Sequence, residues 1–245
     1  MISPGTQQIL RELRRLENNQ KPSKATQLDL QNITLVGIVA PSTSGKNMLI
    51  DAALHANKSW HYVPSVTTRP KQDRDTPGSY REYIPHDHNG LSKFYKDVQA
   101  GKLLQYAIHP ETNHIMATYL SDYSGKANLK DMYATSVARF RELGFGNLLV
   151  VSLVTPYEQW KPRFDARFPA GDANRAKRLR EAVSSSAWSQ QQALATDHFY
   201  LVNDGTPSQA AEKLVKIIQY KTVVDPTGYT LAKDFENKLR AAENL

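Results

Sequence analysis

No cysteine occurs anywhere in the 245 residues of the chain. That excludes disulfides, thiolate metal sites and cysteine nucleophiles, and it fits a reducing compartment, so a cytoplasmic location is expected. No apolar run approaches the ~18 residues that a membrane span needs, and the first residues lack the basic-then-apolar layout of a secretory leader. A membrane partner is not expected. Acidic residues are outnumbered: 24 Asp and Glu stand against 31 Lys and Arg, a net charge of +7 with a pI near 9.4. Such a balance favours an anionic partner, nucleotide or nucleic acid. The basic residues are not interleaved with aromatics in the manner of an RNA- or DNA-binding sheet, so nucleic acid is not the expected partner. The seven histidines show no metal-ligand spacing, and His86, His88, His109 and His114 are expected in loops or on the surface. The length and the 40% apolar content suffice for one large domain with a real core, or one domain with tails.

Ile33 to Ile50 is the most informative stretch. An apolar run, Ile33, Leu35, Val36, Ile38 and Val39, gives way to Ala40-Pro41-Ser42-Thr43-Ser44-Gly45-Lys46-Asn47. A buried strand feeding such a turn and then a helix is the layout of a phosphate loop. Backbone N–H groups cradle phosphate oxygens, the helix aims its positive end at them, and a lysine reaches the terminal phosphates. Ser42, Thr43, Ser44, Gly45, Lys46 and Asn47 are thus the expected ATP-binding residues. Two positions depart from G-x-x-x-x-G-K-[ST]: Ala40 stands at the first glycine, and Asn47 replaces the hydroxyl that meets magnesium. The amide oxygen of Asn47 is still a hard-cation ligand.

Elsewhere the hydrophobic spacing predicts an amphipathic helix over Thr6–Asn18 that packs on the main domain, followed by a linker at Lys21–Lys24. After the loop, a helix is expected with Met48, Leu49, Ala52 and Ala53 inward. A short extended segment ends in Thr67-Thr68-Arg69, and a polar loop closes at Pro77-Gly78. Strands are expected over Tyr80–Ile84, Gly101–Ile108 and His114–Leu120, with a helix over Leu91–Gln99. Larger units then return: a strand over Asn128–Met132, a helix over Ser136–Leu143 and the most apolar run of the chain, Asn147–Val154, as a central parallel strand. A strongly basic segment, Lys161 to Arg180, follows, with a helix over Asn174–Gln192. The last core strand, His198 onward, reaches Asn203-Asp204 and leads to a helix over Ser208–Tyr220. A final polar helix lies past the Pro226/Gly228 break. Strands alternating with helices argue an α/β fold with a parallel sheet covered on both faces.

Taken in order, Ala40-Pro41-Ser42-x-x-Gly45-Lys46, Ser65-x-Thr67-Thr68-Arg69, Gly78-x-Tyr80 and Asn203-Asp204 resemble guanylate kinase, a P-loop nucleoside monophosphate kinase, across roughly residues 32–221. The resemblance implies a core over 31–221, a small mixed α/β insert near 62–120 that holds the monophosphate, and a basic lid near 162–175. Residues 1–30 and 222–245 are then an N-terminal extension with its linker and a C-terminal tail. It further implies ATP-dependent phosphorylation of a nucleoside monophosphate. Lys46 would hold the donor's phosphates, Ser65, Arg69 and Tyr80 the acceptor's phosphate, and Arg163 and Arg178 would bridge both substrates on closure. Arg74, offset in a loop of different length, is the nearest match to a second acceptor-phosphate arginine.

The sequence departs from the family at the base and at the metal. Gln105 stands where a glutamate accepts two guanine N–H groups; one amide acceptor and one donor suit adenine or a pyrimidine edge better. Thr118 remains as a base contact, while the neighbouring tyrosine of the family is replaced by Met116, and Glu111 is either a substitute carboxylate or a solvated turn residue. Asp131 keeps one of two expected acids, with Tyr133 in place of the other, so Mg2+ would be held by Asp131 and Asn47. These departures motivate the alternative, a non-catalytic nucleotide- or protein-binding module on the same fold.

Overall fold

The computed structural model describes residues 3–17, 22–71, 80–108 and 112–243. By its contacts the chain divides into two units, one made of residues 34–61, 126–142 and 147–245, the other of residues 1–33, 62–125 and 143–146.

The first unit is built on a five-stranded sheet in the order β2-β7-β1-β8-β9, where β1 is Thr34–Val39, β2 Trp60–Tyr62, β7 Ala127–Met132, β8 Asn147–Val154 and β9 His198–Val202. β7, β1, β8 and β9 run parallel. Their near-continuous apolar runs are what a sheet covered on both faces requires: Leu35, Val36, Ile38, Leu129, Val150, Val151 and Leu201 are fully buried. Helix α3 (Lys46–Ala56) packs on α8 (Pro207–Tyr220), whose start is set by a reciprocal cap between Thr206 and Gln209 with Pro207 at the first turn. Met48 is 60% exposed, and Ile50 takes the inward place expected of it. The inward stripe of α3 is Leu49, Ile50 and Ala53.

Two further helices, α6 (Tyr157–Arg167) and α7 (Arg175–Gln191), carry the basic segment. α6 escapes detection by periodicity because Pro162 lies inside it and most of its surface is charged. What holds it is aromatic packing. Trp160 and Phe164 stack with ring centres 4.6 Å apart, and Phe235 of the C-terminal helix α9 (Gly228–Glu243) meets Trp160 edge-on at 4.9 Å. Together with Phe168, Leu179, Ala182, Val183 and Leu239 they form one buried cluster. The last segment of the chain is therefore no loose tail: α9 is a structural partner of the basic helices.

The second unit holds a four-stranded mixed sheet, β4-β3-β6-β5, with β3 Ser65–Thr67, β4 Tyr80–Tyr83, β5 Leu103–Ile108 and β6 Ile115–Tyr119. β3 pairs parallel with β4 and antiparallel with β6. Helix α4 (His88–Gln99) is capped by Asp87 accepting from the Gly90 N–H. Helix α1 (Pro4–Glu17) belongs to this unit. Its Leu10 and Leu13 join Leu91, Phe94, Val98 and Tyr106 in a common core. Tyr106 Oη donates to the Leu13 carbonyl at 2.6 Å, and the Ile108 N–H donates to Glu17 at 2.9 Å. At the end of the segment read as a linker, Ser23 caps helix α2 (Lys24–Leu30).

Inside the sheet unit, His198 is a buried histidine with a consequence for stability. Its Nε2 lies 2.8 Å from Ser152 Oγ, its ring is flanked by Trp188 and Tyr200, and its Nδ1 has no partner among the described residues. Burial pushes its pKa down from 6.5 to about 4, against the pull of Asp197. In the unfolded chain the ring takes its proton near 6.5, so between those values the unfolded state binds more protons. The stability contributed by the neutral ring is present above 6.5 and is lost as pH falls through that window, roughly 3 kcal/mol by pH 4. Denaturant melts from pH 7.5 to 4.5 are expected to show this acid loss in the parent and not in His198→Gln; parallel slopes in the two proteins would remove His198 as its cause.

Candidate functional site

In the sheet unit, the turn between β1 and α3 is strained in the way a phosphate loop needs. Thr43 and Gly45 both have left-handed backbone, φ 68° and 86°, and such turns aim successive N–H groups into one concavity. Three braces lock the turn. Trp160 Nε1 donates to the Ser42 carbonyl at 2.7 Å, while Thr155 Oγ1 and Asn203 Nδ2 donate to the Ser44 carbonyl at 3.0 and 2.8 Å. Gly45 is required twice over: a Cβ there would lie 2.7 Å from Asn203 Nδ2, on a backbone that L side chains rarely adopt. Asn203 was visible in the sequence only as part of a motif. Trp160 and Thr155 carried no signal, since they reach the loop from more than a hundred residues away.

Lys46 opens α3, and its Nζ lies 3.8 Å from Asp131 Oδ2. Asp131 is in register with Ile38, one residue before the end of β1, which is how the sheet brings it to the loop. Asn47, the second residue of α3, is exposed. A carboxylate and an amide oxygen are hard donors, and no group of three or more His, Cys, Asp or Glu able to hold a metal occurs among the described residues. The donor set therefore fits Mg2+, which keeps most of its waters, and does not fit zinc.

The second unit presents the other sequence-predicted residues on β3, β4, β5 and β6. Ser65 is paired with Tyr80 across β3 and β4, and the Arg69 guanidinium lies over the Tyr80 ring, 5.0 Å from its centre. Thr67 Oγ1 donates to the Ile115 carbonyl and accepts from the Arg69 N–H; Thr68 Oγ1 accepts from the Ile115 N–H. The two hydroxyls thus fix the end of β3 and aim the residue that follows. His86 and His114 lie in loops, one of the two places expected of them, and are half-buried beneath this turn. Their rings meet edge-on at 4.9 Å, and His86 Nδ1 is 2.9 Å from Thr68 Oγ1. Burial lowers the pKa of both, so they stand there as neutral rings.

Gln105 is 7% exposed, and its amide makes no hydrogen bond among the described residues. It faces Thr118 across β5 and β6. Thr118 Oγ1 is in turn 3.2 Å from the hydroxyl of Tyr123, a buried tyrosine whose pKa is pushed up by burial. Tyr123 is a polar neighbour of this pair that sequence reasoning missed, because it lies past the end of β6 on a short 3-10 turn. Gly78, Arg74, Glu111 and His109 lie outside the described residues.

No family model matches the sequence, and no curated protein matches it either. Among solved structures the chain is similar to the crystal structure of guanylate kinase from Anaplasma phagocytophilum, at a TM-score of 0.50 and 15% identity over 80% of this chain and 89% of that one. The fold is guanylate kinase-like. An identity that low carries architecture only; the residues must argue the rest.

In this guanylate kinase-like fold the basic segment is more tied down than its composition suggested. Asp165 binds both Lys161 Nζ, at 2.7 Å, and Arg175 Nη1, at 2.9 Å. Burial pulls the Asp165 pKa upward, yet those two cations outweigh it and hold the carboxyl below its usual range. Arg175 also donates to the Phe168 carbonyl, and its guanidinium lies over the Phe164 ring. Arg178 pairs with Glu181 at 2.6 Å. Arg163 is exposed and forms no ion pair among the described residues.

Proposed function

We propose that this protein is a nucleoside monophosphate kinase: an oxygen of the acceptor monophosphate attacks the terminal phosphorus of ATP, the bond to the bridging oxygen breaks, and ADP leaves. The observation that carries the reading is the braced left-handed turn at Thr43–Gly45 opening directly onto Lys46 at a helix N-terminus, within a guanylate kinase-like fold. Phosphoryl transfer asks the protein mainly to position two anions and to neutralise charge that spreads in the transition state. Ser42 to Asn47 bind the donor phosphates through backbone N–H groups, and Lys46 leaves Asp131 for the terminal phosphates. Arg69, with Tyr80 and Ser65, holds the acceptor phosphate, and Arg74 is assigned there from the sequence. Arg163 and Arg178 supply further positive charge, Arg178 by exchanging Glu181 for phosphate. Mg2+ held by Asp131 and Asn47 would supply charge neutralisation on the donor phosphates. Gln105 and Thr118 contact the base.

The second reading, a non-catalytic binding module, is favoured by one observation: two of the cations needed, Lys46 and Arg178, already face carboxylates. A coupled ADP-release assay with ATP and each of GMP, dGMP, AMP, UMP, CMP and dTMP separates the two. Turnover with at least one acceptor is expected; ATP binding with no turnover on any of them would leave the module.

A further inference from the structure

An open groove of about 550 Å3 lies between α7 and α9, on a face of α7 other than the one whose Ser185, Ser186 and Ser189 lie beside Pro41 and Ser44 of the phosphate loop. Its floor is one stripe of α7, with Val183 and Ala187 a helical turn apart and the Trp188 indole beside them; Arg180, Gln191 and Arg240 stand around it. The size is that of a small-molecule site.

Three features of this cavity are unusual for a bare helix–helix groove. A partly exposed indole lines it, and its N–H makes no hydrogen bond among the described residues. Arg180 is exposed and forms no ion pair among the described residues. Arg240 spends its Nε–H on Glu236 at 2.8 Å, which leaves its two terminal nitrogens without such a partner. Glu236, the nearby acid, accepts that bond and one from Gln190 Nε2 at 2.7 Å, and no acidic side chain lines the cavity. Two guanidiniums and an indole N–H therefore border an apolar strip whose lining holds no carboxylate, its other polar side chains being the uncharged Ser184 and Gln191. The complement of that set is a planar aromatic ring carrying an anionic group. The ring covers the indole and the Val183/Ala187 strip, and the anion takes the guanidinium donors.

We propose that the α7–α9 groove is a second ligand site, one for a mononucleotide-class molecule, in which the base packs on Trp188 and the phosphate is held by Arg180 and Arg240. The site is built mainly by α7, with Arg240 from α9, and its lining shares no residue with the phosphate loop. A ligand there bridges α7 to α9, the same two helices that hold the basic segment in place, so its occupancy is coupled to the element carrying Arg178.

The test follows the three indole N–H signals of the full-length protein by nitrogen–proton NMR, with the Trp188 signal assigned by its loss in Trp188→Phe. AMP is the probe, and adenosine and phenyl phosphate are the comparison ligands. A saturable shift of the Trp188 signal by AMP is expected, persisting in Lys46→Ala, where the phosphate loop is disabled. Arg180→Gln and Arg240→Gln are each expected to weaken it by about ten-fold, and adenosine to bind about ten-fold more weakly than AMP. Retained melting temperatures would show that those two variants still fold. A Trp188 signal that never saturates, a shift lost in Lys46→Ala, or an affinity unchanged by both arginine substitutions overturns the proposal. Loss in Lys46→Ala would mean that AMP reports only on the phosphate loop, which leaves the kinase reading untouched.

Discussion

Lys46→Ala is expected to reduce phosphoryl transfer by at least about a hundred- to a thousand-fold, the usual loss when one preorganised charge-stabilising group is removed from a transfer site. The same substitution is expected to leave the chain folded. Lys46 is no part of the core, and its one ion pair among the described residues, to Asp131, is loose at 3.8 Å with the two side chains 20% and 33% exposed. A pair of that kind contributes at most about 1 kcal/mol. The helix it opens is held by Leu49, Ile50 and Ala53, and the loop before it by Trp160, Thr155 and Asn203, none of which needs the lysine. Thermal melts and the coupled assay on the same preparation decide the matter. Activity within a few-fold of the parent would defeat the kinase assignment. A lost thermal transition would show that the Lys46–Asp131 contact is structural.

How far the sequence reached depends on the kind of contact. β8 was legible to the residue, because a fully buried parallel strand is an uninterrupted apolar run and Asn147–Val154 is one. The strand–turn–helix around Gly45 was legible because an apolar run, a Gly45 turn and a helical stripe follow one another in the sequence. Amphipathic stripes were legible as stripes only. The one on α1 announces that a face is buried, and nothing in its spacing says that Leu91, Phe94 and Tyr106 will cover it. On α3 the stripe was read one position out of phase at Met48, an error that a short helix with few polar markers invites. The braces on the loop were not legible as braces, although Asn203 stood in a motif. Each is a single hydrogen bond from a residue whose type is compatible with many other roles, at a separation over which no local rule operates. The contact of His86 with His114 and Thr68 was illegible for the same reason: it is set by strands that pair across the insert, and not by their own neighbours in sequence.

The second large effect is expected at Gln105. Guanine presents two adjacent donors, N1–H and the 2-amino group, and only a side chain with two acceptors satisfies both when water is excluded. Gln105 is 7% exposed, on a strand position facing the buried Thr118–Tyr123 hydroxyl pair, so the surroundings of its amide are dry. The amide meets one guanine donor and opposes the other. The parent is therefore expected to show no strong preference for GMP. Gln105→Glu is expected to move the preference toward GMP over AMP by about 1–3 kcal/mol, or roughly ten- to a hundred-fold in kcat/KM. The new carboxylate is itself costly to bury without a partner, so the variant is expected to melt earlier in the absence of nucleotide and to regain stability more with GMP than with AMP. Steady-state kinetics on both acceptors, with melts in the presence of each, give the answer. The competing assignment puts Glu111 at the base. A parent that strongly prefers GMP, loses that preference in Glu111→Gln and is indifferent to Gln105→Glu would transfer the role to Glu111 and leave Gln105 as a buried strand residue facing Thr118.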